Sequence, residues 1–356
     1  MKIAQIAPLY ESVPPTLYGG TERIVSYLTD ELVRQGHEVT LYASADSETL
    51  ADLRPVCEKA LRLQGKGVVD PLAHHIRMLE TVAQEANEFE MLHFHIDYLH
   101  FPVTRRVGVS ALTTLHGRLD LTDIHPLFRE FSDMNIVSIS DSQRAPMSWA
   151  SWVGTVHHGL PERLYTPSYD KGKYLAFLGR ISPEKRVDRA IELAKRVGIP
   201  LKIAAKIDTV DKDYFDSEIR SLLDHSLVEY LGEIGEHEKA EFLGDALGLV
   251  FLIDWQEPFG LVMIEAMACG TPVIAYRMGS VPEVVDDQIT GYIVDSLDAA
   301  ADAVRRIDML DRRMIRRVFE KRFSSRRMCQ DYINLYQKVR SGESELMAGE
   351  IGSSAA

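Results

Sequence analysis

The sequence predicts an α/β protein built from two doubly wound parallel sheets that face each other across a cleft. Three observations carry that prediction. Short apolar runs alternate with helical patterns along nearly the whole chain, as parallel sheets require. A length of 356 residues is enough for two separate cores. The alternation also comes in two series, separated by an aperiodic stretch at 161–173 that is rich in Pro, Tyr, Asp and Lys and reads as a linker.

In the first series, residues 3–7 form the opening strand. The turn Tyr18-Gly19-Gly20-Thr21-Glu22 leads into a helix that ends near Gly36. Strands at 39–43, 91–94, 112–115, 136–139 and 155–157 follow. In the second series, strands are expected at 174–179, 201–205, 228–231, 249–253, 273–275 and 292–294. The domains divide at 165/166, giving 1–165 and 166–323. Beyond them lie an amphipathic helix at 324–340 and a small, polar tail at 341–356 that reads as disordered.

Composition narrows the function. A formal charge of −13 argues against a broad nucleic-acid-binding surface. Three widely spaced cysteines suggest free thiols in a reducing compartment, not a disulfide frame or a zinc site. No run approaches a membrane span, and the N-terminus is too short and too quickly polar for a signal peptide. The cytoplasm is the expected location. Ten Arg or Lys residues fall between Arg305 and Arg327, and contact with the inner membrane face is the lesser reading of that run, because acids interleave with it.

The most telling segment is Glu257-Pro258-Phe259-Gly260-Leu261-Val262-Met263-Ile264-Glu265, followed by Ala266-Met267-Ala268-Cys269-Gly270-Thr271-Pro272. Eight helical residues span about 12 Å, so Glu257 belongs at a helix mouth and Glu265 roughly two turns deeper. The helix-end amides between them make an anion site. Two hydroxyl-binding carboxylates flanking such a site suit a nucleotide-sugar, with ribose and sugar at the ends and diphosphate between. An ordinary helix start would account for either glutamate alone.

Gly179-Arg180-Ile181-Ser182-Pro183-Glu184-Lys185-Arg186 follows the first strand of the second series, where α/β sheets bind ligands. Arg180 offers a planar fork and Lys185 a mobile charge, both suited to a departing diphosphate. A capped helix start is the bland alternative, although a first-turn lysine opposes the helix dipole. The Gly19-Gly20 pair lacks the pattern of a dinucleotide fingerprint and is weak by itself. His116 closes the strand at 112–115. His93, His95 and His100 crowd one strand end and His157-His158 another, with metal binding the minority reading.

These residues resemble retaining glycosyltransferases of family 4, which have the GT-B fold of two Rossmann-like domains. The segment Glu257–Glu265 matches their E-x7-E motif, and Gly279-Ser280-Val281-Pro282-Glu283, Thr290-Gly291-Tyr292, Gly19-Gly20-Thr21-Glu22 and Gly179-Arg180 with Glu184-Lys185 extend the resemblance to about Arg340. The resemblance implies that Arg180 and Lys185 bind the donor diphosphate, Glu265 the ribose and Glu257 the transferred sugar. It gives Phe259, Gly260 and Leu261 backbone contacts to sugar and phosphate. It brings Gly20 to the phosphates, His116 to a sugar hydroxyl or the acceptor, and Gly232 and Ile234 to the base. Lys206, in Ala205-Lys206 where the family often has Gly, would add a phosphate or base contact. His158-Gly159 stands where the family often has Asn-Gly. The helix at 324–340 would pack back on the first domain.

The expected activity is metal-independent, retaining transfer from a nucleotide-diphosphate sugar to a hydroxyl on a small molecule, glycan or lipid-linked acceptor. UDP-sugar is the first choice of donor, with GDP- or ADP-sugar as alternatives. No cofactor beyond this co-substrate is implied. Two readings compete: a GT-B sugar-nucleotide 2-epimerase, and a non-catalytic nucleotide-sugar-binding regulator. Neither the acceptor nor the oligomeric state is legible.

Overall fold

The computed structural model describes residues 1–16 and 19–342. The chain divides into two compact units, Met1–Gly159 with the chain from Ser325 onward, and Leu160–Ser324. This moves the first boundary back from 165/166. Residues 160–165 belong with the second unit because Leu160 N–H donates to Phe323 O and Arg316 donates to the carbonyls of Glu162 and Tyr165.

The first unit holds a seven-stranded sheet in the order β3-β2-β1-β4-β5-β6-β7. Its strands are β1 (Lys2–Ile6), β2 (Glu38–Ser44), β3 (Asp52–Cys57), β4 (Met91–Phe94), β5 (Ala111–Thr114), β6 (Ile136–Ser138) and β7 (Trp152–Thr155). Every pairing is parallel. Edge strand β3 escapes the hydrophobic pattern because its Asp-Leu-Arg-Pro-Val-Cys sequence is broken by two charged residues and a proline, which an edge tolerates. Strand β7 starts earlier than the expected 155–157. A register shift at Gly154 lets Trp152 and Thr155 both pair with β6, which hides the strand's period.

Both faces of this sheet are covered. Ala4, Ile6, Leu92 and Phe94 pack with Met78, Leu79 and Val82 of α2 (Pro71–Glu85), while Ala7, Leu41 and Ala43 pack with Val25 of α1 (Gly20–Arg34).

The second unit has a six-stranded parallel sheet in the order β10-β9-β8-β11-β12-β13. The strands are β8 (Tyr174–Arg180), β9 (Leu201–Lys206), β10 (Val228–Gly232), β11 (Ala246–Phe251), β12 (Val273–Tyr276) and β13 (Gly291–Val294). Leu175, Phe177, Leu201, Ile203, Val250 and Ile274 of this sheet share a core with α3 (Val187–Val197). Each fully buried aliphatic side chain of this kind contributes about 2 kcal/mol. Helices α4 (Glu236–Gly244), α5 (Leu261–Ala268), α6 (Leu297–Arg305) and α7 (Arg312–Arg322) complete the unit. In both sheets the order reverses beside the first strand of the unit, the topology of a doubly wound fold.

Much of the basic run between 305 and 327 is structural. Arg312 donates to the carbonyls of Ser168, Gly244 and Ala246 and to the Thr271 hydroxyl. Arg316 is buried against Ala268 O, and Arg322 reaches Asp286 and Glu283 O. Arg312→Met would strand several partly buried carbonyls, so it is expected to destabilise the protein by about 3 kcal/mol. A denaturant midpoint unchanged from wild type would refute this.

Helix α8 (Ser325–Ser341) packs on α1, β5 and β7 within the first unit. The remaining tail, 343–356, lies outside the described residues, as do Leu17 and Tyr18. Among the described residues no helix is long and apolar enough to cross a membrane.

Candidate active site

Arg180 and Lys206 end the paired strands β8 and β9 directly opposite each other, and Gly232 ends the neighbouring strand β10. The loop after β11 carries Glu257, Phe259 and Gly260 into α5. These residues therefore gather at the carboxyl ends of one sheet, as the sequence positions imply.

Lys185 forms an ion pair with Glu257, and its ammonium sits 5.0 Å from the Trp255 ring centroid. Trp255 Nε1–H donates to Glu257 Oε2 at 3.0 Å. Glu257 is thus held from two sides, by a charge and by an indole. The two loops are also tied by their backbones. Asp254 N–H donates to Glu184 O at 2.9 Å, and the Asp254 carboxylate accepts from Arg186 and Arg189. Gly260 adopts a left-handed conformation, φ 75°, just before α5 begins. Gly279 N–H donates to the Gln256 side chain, Ser280 N–H to Glu257 O, and Ser280 Oγ to Phe259 O. Phe259 is fully buried, so the Glu257–Gly260 turn is pinned along its length.

Glu265 lies inside α5 and is only 3% exposed. Lys239 of α4 donates to its Oε1 at 2.7 Å, and the Tyr165 hydroxyl stands 3.4 Å from the same oxygen. Glu236 joins the cluster through Tyr165 and through Lys239 at 3.4 Å. Leu261 opens the helix, and Ile234 stands in the loop between β10 and α4.

Arg180 sits among three acids: Glu184 at 2.6 Å, Asp208 at 3.6 Å and Asp211 at 3.7 Å. Lys206 pairs with Asp208 at 2.9 Å. Burial works to raise the Asp208 carboxyl, but Lys206 and Arg180 outweigh it and hold it low. Burial dominates at Asp211 and raises it. An anion arriving at Arg180 must therefore share it with carboxylates, of which Asp208 and Asp211 lie outside the sequence motif.

In the first unit, Gly20 is the exposed first residue of α1. His116 follows β5. Its Nε2 lies 2.9 Å from His95 Nδ1, and its ring stacks on His158 at 5.3 Å. His95 Nε2 lies 2.8 Å from Gln5 Oε1. His93 contacts the Tyr336 hydroxyl at 2.7 Å and Thr114 at 2.8 Å, and His100 lies between Thr104 and Thr113. Burial lowers His93, His95, His100 and His158 well below the usual imidazole range, and His116 to about 3. At neutral pH these rings are uncharged, and His116 is a poor proton acceptor that can still orient a hydroxyl. Among the described residues no group of three or more His, Cys, Asp or Glu side chains is arranged to hold a metal ion.

The sequence motifs miss Trp255, the Tyr165–Glu236–Lys239 surround of Glu265, Asp208 and Asp211 beside Arg180, and the Gln5–His95 support of His116. Apart from Trp255, which lies beside Glu257 without belonging to its motif, these partners come from separate segments. Only a three-dimensional arrangement brings them together.

Comparison with known proteins places this geometry. A family model described as Glycosyl transferases group 1 matches residues 163–322, and one described as Glycosyltransferase Family 4 matches residues 18–191. N-acetyl-alpha-D-glucosaminyl L-malate synthase of Bacillus anthracis is 23% identical over 363 residues, covering 90% of this chain and 94% of that protein. D-inositol 3-phosphate glycosyltransferase of Mycolicibacterium smegmatis is 31% identical over 234 residues. That match takes in 59% of this chain and 49% of the relative, about half its length. Among solved structures, Anabaena HepE in complex with UDP and glucose superposes with a TM-score of 0.72 at 15% identity, covering 94% of this chain and 98% of that one. Two parallel-sheet α/β units, matched in turn by two glycosyltransferase models that together run from residue 18 to 322, place this chain among the family 4 glycosyltransferases of the GT-B fold.

Proposed function

We propose that the protein is a retaining glycosyltransferase that moves a sugar from a UDP-sugar to a hydroxyl acceptor. The observation that carries this reading is the Lys185–Glu257 pair beside the amino end of α5, with Glu265 held deeper in the same helix. Lys185, Arg180 and the amides of Gly260 and Leu261 would receive the diphosphate and stabilise it as it departs. Glu257 would face the transferred sugar, where its charge favours an oxocarbenium-like transition state. Glu265 would accept the ribose hydroxyls, with Lys239 sharing its charge. Lys206 would add a contact near the phosphates or base, Gly232 and Ile234 would lie against the base, and Phe259 would support the sugar end of the turn. From the first unit, Gly20 is assigned to phosphate approach and His116 to a hydroxyl of the sugar or acceptor.

The bound UDP of HepE supports the choice of uridine. The expected acceptor is a hydroxyl on a small molecule, glycan or lipid-linked compound, and the names of an L-malate synthase and an inositol 3-phosphate glycosyltransferase among the relatives favour a small hydroxylated molecule. A ligand that binds only the native state raises its melting temperature, by about 2.7 kcal/mol of added stability at a hundredfold excess over Kd. UDP-sugars are expected to raise the melting temperature more than GDP- or ADP-sugars, and transfer should preserve the anomeric configuration of the donor. A larger shift with GDP- or ADP-sugars would reject uridine, and an inverted product would reject retention.

A further inference from the structure

We propose that Gln5 and His95 are positioning residues that fix the tautomer of His116, with its proton on Nε2 and a bare lone pair on Nδ1. His116 then offers a bound sugar an acceptor for one of its hydroxyls. The hydroxyl contact rests on the function proposed above; the tautomer does not.

The histidines form a buried chain along which each proton can be counted. A neutral imidazole carries one N–H, and the partner of one ring nitrogen decides the role of the other. Gln5 in β1 stands in register with His93 in β4. Its amide nitrogen donates to the Tyr336 hydroxyl at 3.1 Å, and that hydroxyl lies 2.7 Å from His93 Nδ1. His93 Nε2 lies 2.8 Å from Thr114 Oγ1 on the other side of the ring. With its nitrogen so committed, Gln5 presents its carbonyl oxygen to His95 Nε2 at 2.8 Å.

A carbonyl oxygen only accepts, so the proton of His95 is on Nε2 and its Nδ1 is an acceptor. His116 Nε2, 2.9 Å away, must therefore be the donor. That leaves His116 Nδ1 deprotonated. This atom is buried and has no hydrogen-bond partner among the described residues. A buried acceptor left in that state is unfavourable by about 1–3 kcal/mol unless something donates to it. A sugar hydroxyl can do so, whereas an ionised diphosphate oxygen has no proton to give and would be repelled.

The test uses the full chain with ¹⁵N-labelled histidine, ligand-free and near neutral pH. Long-range proton–nitrogen spectra distinguish the two ring nitrogens, and His116→Gln identifies the resonances by their loss. The expected result is a single His116 tautomer protonated at Nε2. Gln5→Leu should give mixed tautomers and about a tenfold loss of kcat/KM, the equivalent of one lost hydrogen bond. Gln5→Glu keeps an acceptor oxygen and should restore the tautomer. A proton on Nδ1 of wild-type His116, or a Gln5→Leu spectrum identical to wild type, overturns the relay. If Gln5→Leu does not fold, the wild-type spectrum alone decides. A tautomer shift without any change in kcat/KM overturns the hydroxyl contact. Absence of transfer with every donor would count against the proposed function and leave the relay standing.

Discussion

Lys185→Ala and Glu265→Ala are each expected to lower donor-dependent transfer by about 10²–10³-fold or more while the protein stays folded, on the scale seen when one preorganised charge or donor is removed from a transition state. The two losses should differ in kind. Lys185 pairs with Glu257 and lies over the Trp255 ring, so its removal subtracts the charge proposed to bind phosphate and also leaves the Glu257 carboxylate to the indole N–H. The unbalanced carboxylate would repel the diphosphate, so the effect on rate should exceed that of losing a lysine at an open surface. Both side chains retain some exposure, 18% and 12%, so solvent moderates the penalty and the fold survives it.

Glu265→Ala acts instead on binding. It removes the proposed ribose acceptor and leaves Lys239 paired with Glu236 alone, which should raise the donor KM more than it lowers kcat. Initial rates over a donor series, with circular dichroism as the folding control, separate the two patterns. Wild-type turnover in both variants would sink the assignment.

How much of this was visible in the sequence depends on range. The strands of both sheets follow from local apolar runs, and only β3 and the starts of β7 and β11 escape: β3 for its polarity, β7 and β11 for a register shift at the start of each, which puts β11 at Ala246–Phe251 instead of the expected 249–253. Glu257, Glu265, Arg180 and Lys185 declare themselves through spacing, because a loop entering a helix imposes its own geometry. Their environments do not. Tyr165 and Lys239 come to Glu265 from segments far away in the chain, and nothing local marks them. The acids around Arg180 are equally silent, since a surface Asp reads as solvation until the fold sets it beside a guanidinium. The histidines show the same limit. Their crowding is evident in the sequence, but the hydrogen-bonded chain through Gln5 and Tyr336 is visible only in the structure.

Gly279→Ala is the sharpest test of the claim that the Glu257 turn must be held in place. Gly279 has φ +54°, and a Cβ there would fall 2.3 Å from both the backbone nitrogen and the carbonyl oxygen of Glu257. Backbone cannot swing aside as a flexible side chain can, so residues 256–257 must move. Left-handed strain alone amounts to about 1–3 kcal/mol, and the clash adds to it. Displacing the turn also breaks the bonds from Gly279 to Gln256 and from Ser280 to Glu257, and so shifts the carboxylate proposed to face the sugar. A misplacement on the order of 1 Å can cost a factor of about 10² in rate.

Gly198→Ala supplies the control, because Gly198 also has a positive φ, +69°, yet a Cβ there would meet nothing within 4 Å, and the residue lies at the far end of α3. It should lose about 1 kcal/mol of stability and keep full kcat. Gly279→Ala should lose both stability and at least about two orders of magnitude in kcat. Equal activities in the two variants would show that the position of Glu257 is not what limits the reaction.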